Sequence, residues 1–421
     1  MSSLPDRAII KQGAGTGVSF ETFGHAIFTA LPSRASKGRA EQIGESDAAR
    51  GVAISLSFKI VIGAVALMIG GGLALLLFAW SGIYNVAASR GHFVITSRLL
   101  EIGMRNSVKT HSAGLTAPSL HDENMVRLGA GIYAGGCAMC HGAPGTPPNP
   151  IYQRMLPAPP GLPEHVGRWD DEHLFWIVKH GIKYAGMPGW VSQQRDDEVW
   201  SVVAFLRKLP EMDLAAYRSL SRAPFGDALG DPNALAANGG SPTQCARCHD
   251  SDAGPPQSRL VPKLAGLTQE YIERSLREYA SDARASGVMQ PIAATLDEKD
   301  LSTLAAYFSK LPPKSAASGP QASPDAIERG KLIAEQGSAA TNVPACVSCH
   351  GGGALATYPR LDGQHAPYVR GQLRLWRQGV RGATGEGAIM APIAKALSEA
   401  QIEDVAAYYE SLPPGRDGAV R

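Results

Sequence analysis

Apolar positions along the chain fall into two kinds of pattern. From Ile60 to Trp80 they are continuous: IVIGAVALMIGGGLALLLFAW, 21 residues without a charge. As a helix this run is about 31 Å long, close to the roughly 30 Å of hydrocarbon in a bilayer. Lys59 precedes it, and Trp80 and Tyr84 close it, as interfacial anchors do. A buried core helix and a cleaved signal peptide share this composition. The length of the run and the almost sixty residues before it argue against a signal, although Val86-Ala87-Ala88 resembles a cleavage site. The pattern therefore predicts a transmembrane anchor over 56–84, behind a tail, 1–55, of mixed charge and little periodicity that is expected to be poorly ordered. Arg50 and Lys59 before the span are matched by Arg90 and Arg98 after it, so flanking charge does not set the orientation. Ala66, Gly70 and Ala74 share one face, on which another helix can approach closely.

Beyond a connecting segment, 85–120, the apolar positions recur at helical spacing and the chain repeats itself. Three stretches end alike: Val203-Ala-Phe-Leu-Arg-Lys-Leu209-Pro210, Ala305-Ala-Tyr-Phe-Ser-Lys-Leu311-Pro312 and Ala406-Ala-Tyr-Tyr-Glu-Ser-Leu412-Pro413. Each predicts an amphipathic helix stopped at proline. The last two repeats agree in detail. Pro262-Lys-Leu264-Ala-Gly266 corresponds to Pro359-Arg-Leu361-Asp-Gly363, and Tyr271 and Tyr368 each follow five residues later. Leu276-Arg277 with Arg284, and Leu373-Arg374 with Arg381, continue the register. Shorter helices are predicted before the cysteines of the first repeat (Val126–Tyr133) and the third (Ile327–Ala334); the Gly- and Asn-rich approach in the second predicts a curtailed one. Pro312–Pro324 is a linker by composition, and Glu211–Ser241 reads as a looser connection. The expected units are 121–215, 235–313 and 325–415.

Cysteine changes the picture. Lys plus Arg is 40 and Asp plus Glu is 38, a balance that argues against nucleic-acid binding. The six cysteines all belong to one pattern, in Cys137-Ala-Met-Cys140-His141, Cys245-Ala-Arg-Cys248-His249 and Cys346-Val-Ser-Cys349-His350. C-x-x-C-H puts two thiols on one turn, where they add across the two vinyl groups of a haem, and sets a histidine under the ring to ligate iron. Zinc binding wants four ligands in two close pairs, whereas these pairs lie about a hundred residues apart. A dithiol redox site does not require the histidine. The expectation is three covalently bound haem c groups, held by Cys137, Cys140, Cys245, Cys248, Cys346 and Cys349, with iron on His141, His249 and His350.

The sixth iron ligand decides the chemistry, because a His/Met pair closes the iron and suits electron transfer. Met187, Met289 and Met390 stand in GMPGW, VMQPI and IMAPI, and each lies 23 residues before the Leu-Pro proline of its repeat. Methionine is ordinarily a core filler, and Met155 rivals Met187. The common register assigns Met187, Met289 and Met390 as the closing ligands. His165, His173, His180 and His365 read as surface or core histidines, and His92, His111 and His121 have no evident partner. No paired carboxylates, Ser/His/Asp set or phosphate loop stands out, so no catalytic residue is expected.

The repeats resemble class I c-type cytochrome domains. Residues from about 235 to 415 are similar to the di-haem cytochrome c4 family through PKLAGL, YPRLDGQ, MQPIAATL, MAPIAKAL and the AAY…LP endings. Residues 121–215 resemble single-haem domains of membrane-attached cytochromes through HGIKYAGMPGW and VVAFLRKLP. The resemblance implies an all-α chain, with one N-terminal transmembrane helix followed by three small class I cytochrome c domains. It implies haem attachment in the periplasm, and that the carbonyl of Pro262 or Pro359 accepts the outer N–H of the axial histidine. Arg277, Arg284, Arg374 and Arg381 become candidates for haem propionates.

The expected role is a membrane-anchored tri-haem electron carrier in a bacterial respiratory chain. It would be single-pass in the inner membrane with its haem domains in the periplasm, in contact with lipid. Its redox partners would be a quinol-oxidising cytochrome complex and a haem–copper terminal oxidase. The alternative is a tri-haem subunit of a periplasmic dehydrogenase that passes substrate electrons to quinone. A di-haem peroxidase needs an open iron, against which three candidate methionines argue.

Overall fold

The computed structural model describes residues 44–221, 242–249, 256, 258–313, 322–351 and 355–414. The chain divides into two units, 1–85 and 86–421, each described by itself.

The first unit is one helix, α1 (Gly44–Trp80). Within it Leu56–Trp80 has a mean hydropathy of 2.6 with none of it buried, so it is long and apolar enough to cross a membrane. The helix starts inside the stretch expected as an irregular tail: the apolar run ends at Ile60, but backbone hydrogen bonding continues back to Gly44. Residues 1–43 lie outside the described residues.

The second unit is all-helical, with no strand among the described residues and two isolated bridges, Ala143–Thr146 and Ser338–Val343. Its longer helices are α2 (Val94–Ser112), α3 (Glu123–Ile132), α4 (Asp171–His180), α5 (Asp196–Lys208), α6 (Leu214–Ser221), α7 (Gln269–Ala280), α8 (Glu298–Ser309), α9 (Pro324–Gln336), α10 (Ala366–Arg377), α11 (Gly385–Ala396) and α12 (Glu399–Ser411). The three Leu-Pro helices are α5, α8 and α12, each ending one or two residues before the leucine of its Leu-Pro. Side-chain caps fix several starts: Thr268 accepts from Tyr271 N–H, Asp297 from Asp300 N–H, and Ser398 forms a capping box with Gln401.

In the first and third repeats the leading helix crosses the last one through a glycine. A β-carbon on Gly129 of α3 would meet the Ser201 carbonyl oxygen of α5 at 2.0 Å, and one on Gly330 of α9 would meet that of Asp404 on α12 at the same 2.0 Å. Ser201 and Asp404 both lie nine residues before their Leu-Pro proline, so the crossing is one device used twice. Around it the first repeat buries Tyr133, Val199, Val203, Phe205 and Tyr217, and the third buries Ala334, Ile402, Val405 and Tyr409. In the second repeat Tyr271, Ile272, Leu304 and Phe308 form the core between α7 and α8. The short lead-in there is Pro242–Cys245; residues 222–241, which hold most of the looser connection, lie outside the described residues. So do residues 314–321 of the Pro-rich linker.

Two stretches read as connections are helical. In the segment 85–120, α2 buries Val108 and Ser112 and sets His111 against Trp176 of α4, with ring centroids 5.9 Å apart. The stretch after Glu211 begins with α6, whose Tyr217 packs between Tyr133 and Phe205.

Candidate haem-attachment sites

Each pentapeptide forms a helical turn. Tyr133–Cys137 is a wide turn that runs into the helix Ala138–His141, and Val347–His350 is helical as well. In the second repeat His249 N–H donates to the Cys245 carbonyl at 2.9 Å, and His350 N–H donates to that of Cys346 at 2.9 Å. Two thiols three residues apart thus stand on one turn, followed directly by the imidazole. Burial pushes the Cys137 thiol up to about 12 and the Cys245 thiol to about 11, which disfavours the thiolate that zinc or disulfide exchange would use. Among the described residues no cluster of three or more His, Cys, Asp or Glu is placed to hold a metal ion.

The three imidazoles share one further contact. His141 Nδ1 lies 3.0 Å from the carbonyl oxygen of Pro160, His249 Nδ1 3.1 Å from that of Pro262, and His350 Nδ1 2.8 Å from that of Pro359. A carbonyl oxygen only accepts, so Nδ1 carries the proton in each ring and donates it. That fixes the tautomer with the lone pair on Nε2, the arrangement a metal-ligating histidine needs. Burial lowers His141 and His350, which favours the neutral ring. The residues present therefore fit haem c. Pro262 and Pro359 stand where the repeat register put them; Pro160 was not singled out, because no PKL or PRL sequence marks it.

The three methionines stand on different local structures. Met187 lies on the loop between α4 and α5, and its carbonyl accepts from Ile182 N–H at 3.2 Å. The rival Met155 stands at the same loop, since its methyl would lie 1.7 Å from a β-carbon on Gly186. Met289 opens the short helix Met289–Ala293. Met390, in the middle of α11, is half-buried against the core cluster that includes Val343, Leu373 and Trp376. Ile333 packs on that cluster and also on the one that holds Cys346.

The four arginines separate into two pairs. Arg277 binds Glu298 and Glu273, and Arg374 binds Glu399 and Glu403, all on the surface of their own repeats. Each is paired with carboxylates of its own repeat. Arg284 and Arg381 are different, because both are enclosed where the second and third repeats meet. Arg284 donates to Ser275, to Tyr368 at 3.2 Å and to Gln372 at 3.3 Å; Arg381 donates to Gln372 and lies over the Trp376 ring, 3.9 Å from its centroid. These partners are neutral. Burial and the Arg284 charge lower Arg381, and although burial alone would raise the Tyr271 phenol, the two guanidiniums bring it down.

Contacts between repeats involve residues that the sequence did not single out. Glu198 of α5 joins the first repeat to the second through Ser286 and Gly287, and Asn124 accepts from Ser258 and from Arg259 N–H. A β-carbon on Gly131 would sit 3.2 Å from the Cys248 sulfur. The second and third repeats meet through Lys263 and Gln364, and through Arg259 and Glu410.

Residues 124–206 match the family model described as cytochrome c oxidase, cbb3-type, subunit III, and residues 327–413 match the model described as cytochrome c. A cytochrome c4 of Thiocapsa roseopersicina is 37% identical over 194 residues, which is 44% of this chain and 94% of that protein. The chain belongs to the c-type cytochromes. It is also similar to a thiosulfate dehydrogenase electron acceptor of Stutzerimonas stutzeri, at 36% identity over 172 residues, 40% of this chain and 78% of that protein. A solved cytochrome c4 from Acidithiobacillus ferrooxidans is 34% identical and covers 41% of this chain and 100% of its own, with a TM-score of 0.37. As a multihaem c-type cytochrome the protein binds haem c covalently and transfers electrons rather than transforming a substrate.

Proposed function

We propose that this cytochrome carries three haem c groups on a membrane anchor in the bacterial inner membrane, with its haem domains in the periplasm. It would pass electrons along a respiratory chain towards a haem–copper terminal oxidase. The observation that carries the number three is the His249–Pro262 bond of 3.1 Å. The middle pentapeptide lies outside both matched family ranges, yet its imidazole is held as in the other two. In this reading Cys137, Cys140, Cys245, Cys248, Cys346 and Cys349 make the thioether bonds. His141, His249 and His350 supply Nε2 to iron, and Met187, Met289 and Met390 close the other face. Haem supplies the one-electron chemistry, and the protein supplies burial, ligand orientation and the spacing between centres. Arg284 and Arg381 would receive propionates.

The match of residues 124–206 to an oxidase subunit model supports the oxidase as acceptor. The relatives named thiosulfate dehydrogenase electron acceptor support a second reading, in which a periplasmic dehydrogenase supplies the electrons. Pyridine haemochrome quantitation per chain tests the haem number, and a ratio near two would leave the middle motif empty. Direction is tested in membranes. On the first reading the haems are oxidised by a cyanide-sensitive, oxygen-reducing enzyme, and a deletion strain loses quinol-driven oxygen uptake. Direct reduction by thiosulfate or an organic substrate through a co-purifying dehydrogenase would replace that reading with the second.

A further inference from the structure

The Glu198 carboxylate is almost fully enclosed between the first and second repeats, with 4% of the residue exposed. Both oxygens are engaged. Oε1 accepts from Ser286 Oγ at 2.7 Å and forms an ion pair with Arg195 Nη1 at 2.9 Å. Oε2 accepts from the Trp190 indole N–H at 3.1 Å and from Gly287 N–H at 2.7 Å. Three hydrogen-bond donors and one guanidinium thus converge on a single carboxylate.

The donors come from two particular loops. Trp190 closes Met187-Pro-Gly-Trp190 in the first repeat. Ser286 and Gly287 lead directly into Met289 of the second, and Ser286 Oγ in turn accepts from Met289 N–H at 3.0 Å. Two further contacts press the loops together. Val288 packs on the core of the first repeat, and the Trp190 indole occupies the space that a side chain at position 287 would need, 2.0 Å from its β-carbon. Arg195 spans the same seam by donating to the Ala285 carbonyl at 2.9 Å.

We propose that Glu198 is a positioning residue that sets the Met187 and Met289 loops together, so that the first two haem sites are tuned as a pair while the third is tuned alone. The proposal rests on Met187 and Met289 being the closing ligands. A ligand loop held by a buried, hydrogen-bonded carboxylate keeps its sulfur at a fixed position. Release of the carboxylate frees both loops at once, because each has its hydrogen bond to the same group.

The test uses the full-length holoprotein and reads the near-infrared methionine–iron charge-transfer band and the midpoint potentials. In Glu198→Ala two of the three potentials shift, and the band falls to about one third of its original intensity, the share left by one closed centre in three. Trp190→Phe, which loses the indole N–H together with the five-membered ring that packs on Gly287, shifts the first potential more than the second. Ser286→Ala shifts the second and leaves the first. A residue with only a structural role would lower thermal stability without this selectivity. Unchanged potentials in haem-loaded Glu198→Ala, or three equal shifts, overturn the proposal. Where Glu198→Ala fails to load haem, the Trp190→Phe and Ser286→Ala pair decides it by the same split. Met187→Ala and Met289→Ala serve as controls: if both leave the band intact, the ligand assignment itself has failed.

Discussion

Lys263 and Gln364 join the second and third repeats by pairing a backbone with a side-chain amide. Lys263 N–H donates to Gln364 Oε1 at 3.0 Å, and Gln364 Nε2 donates back to the Lys263 carbonyl at 3.0 Å. Both residues are buried. Gln364→Ala leaves a buried N–H and C=O without these partners, at a cost of about 1–3 kcal/mol for each group. The denaturant midpoint of the variant should therefore fall clearly. An unchanged midpoint would mean that water replaces the amide and that the seam is held elsewhere.

A second prediction concerns the helix crossing. Gly330→Ala places a methyl carbon 2.0 Å from the Asp404 carbonyl oxygen, which is backbone and cannot swing aside. Helices α9 and α12 must separate, at a cost of about 1–3 kcal/mol or more in overpacking. The melting temperature should drop, with loss of haem from the third repeat first. Gly371→Ala, on the open side of α10 with nothing within 4 Å, is the matched control and should be near neutral.

The seam between the second and third repeats should weaken in acid. Burial alone would raise the Glu410 carboxyl, but His365, Arg259 and the Ala366 backbone N–H hold it at about 2, against 4.5 for the free group. A carboxyl depressed on folding contributes stability above its unfolded pKa and loses it as pH falls through the folded value. The window is therefore pH 4.5 down to about 2. His365 acts in the same direction at higher pH: burial lowers it from 6.5, so unfolding takes up a proton below that value. Lys263, Arg259 and Glu410 are the charged groups facing its ring. The stability difference between the wild type and Glu410→Gln should shrink across the carboxyl window. A difference that stays constant with pH would show that the carboxylate does not couple to the fold.

What was legible in the sequence was chemistry confined to a few adjacent residues. The pentapeptides and the Leu-Pro helices are local patterns, and the apolar run of α1 marks itself by length. The contacts between repeats were not legible, because they join residues that are ordinary in their own segments. Glu198 reads as one of three acidic residues in the first turn of α5, where any would favour the helix dipole. Arg277 and Arg374 followed the repeat register, but Glu298, Glu399 and Glu403 stand 21 to 29 residues away on another helix, beyond any local pattern; of their partners only Glu273 lies one turn from its arginine. α2 was missed because Ile95, Leu99 and Ile102 stay exposed, so its apolar positions do not gather on the buried side.

The methionine assignment gives the last prediction, most sharply in the third repeat. Met390 is half-buried against the core cluster of the third repeat, so Met390→Ala opens a cavity whether or not it also removes a ligand. The cavity alone costs about 2–5 kcal/mol and would confuse the result. Met390→Leu separates the two effects, since leucine fills a similar volume and cannot bind iron, for less than about 1.5 kcal/mol. If Met390 closes the third iron, the leucine variant holds its haem and its melting temperature nearly unchanged. One centre of three becomes high-spin with a lower potential, because loss of the thioether removes the ligand that favours the reduced state. If all three centres stay low-spin in Met390→Leu, Met390 is a core residue and the third iron takes its sixth ligand from another side chain.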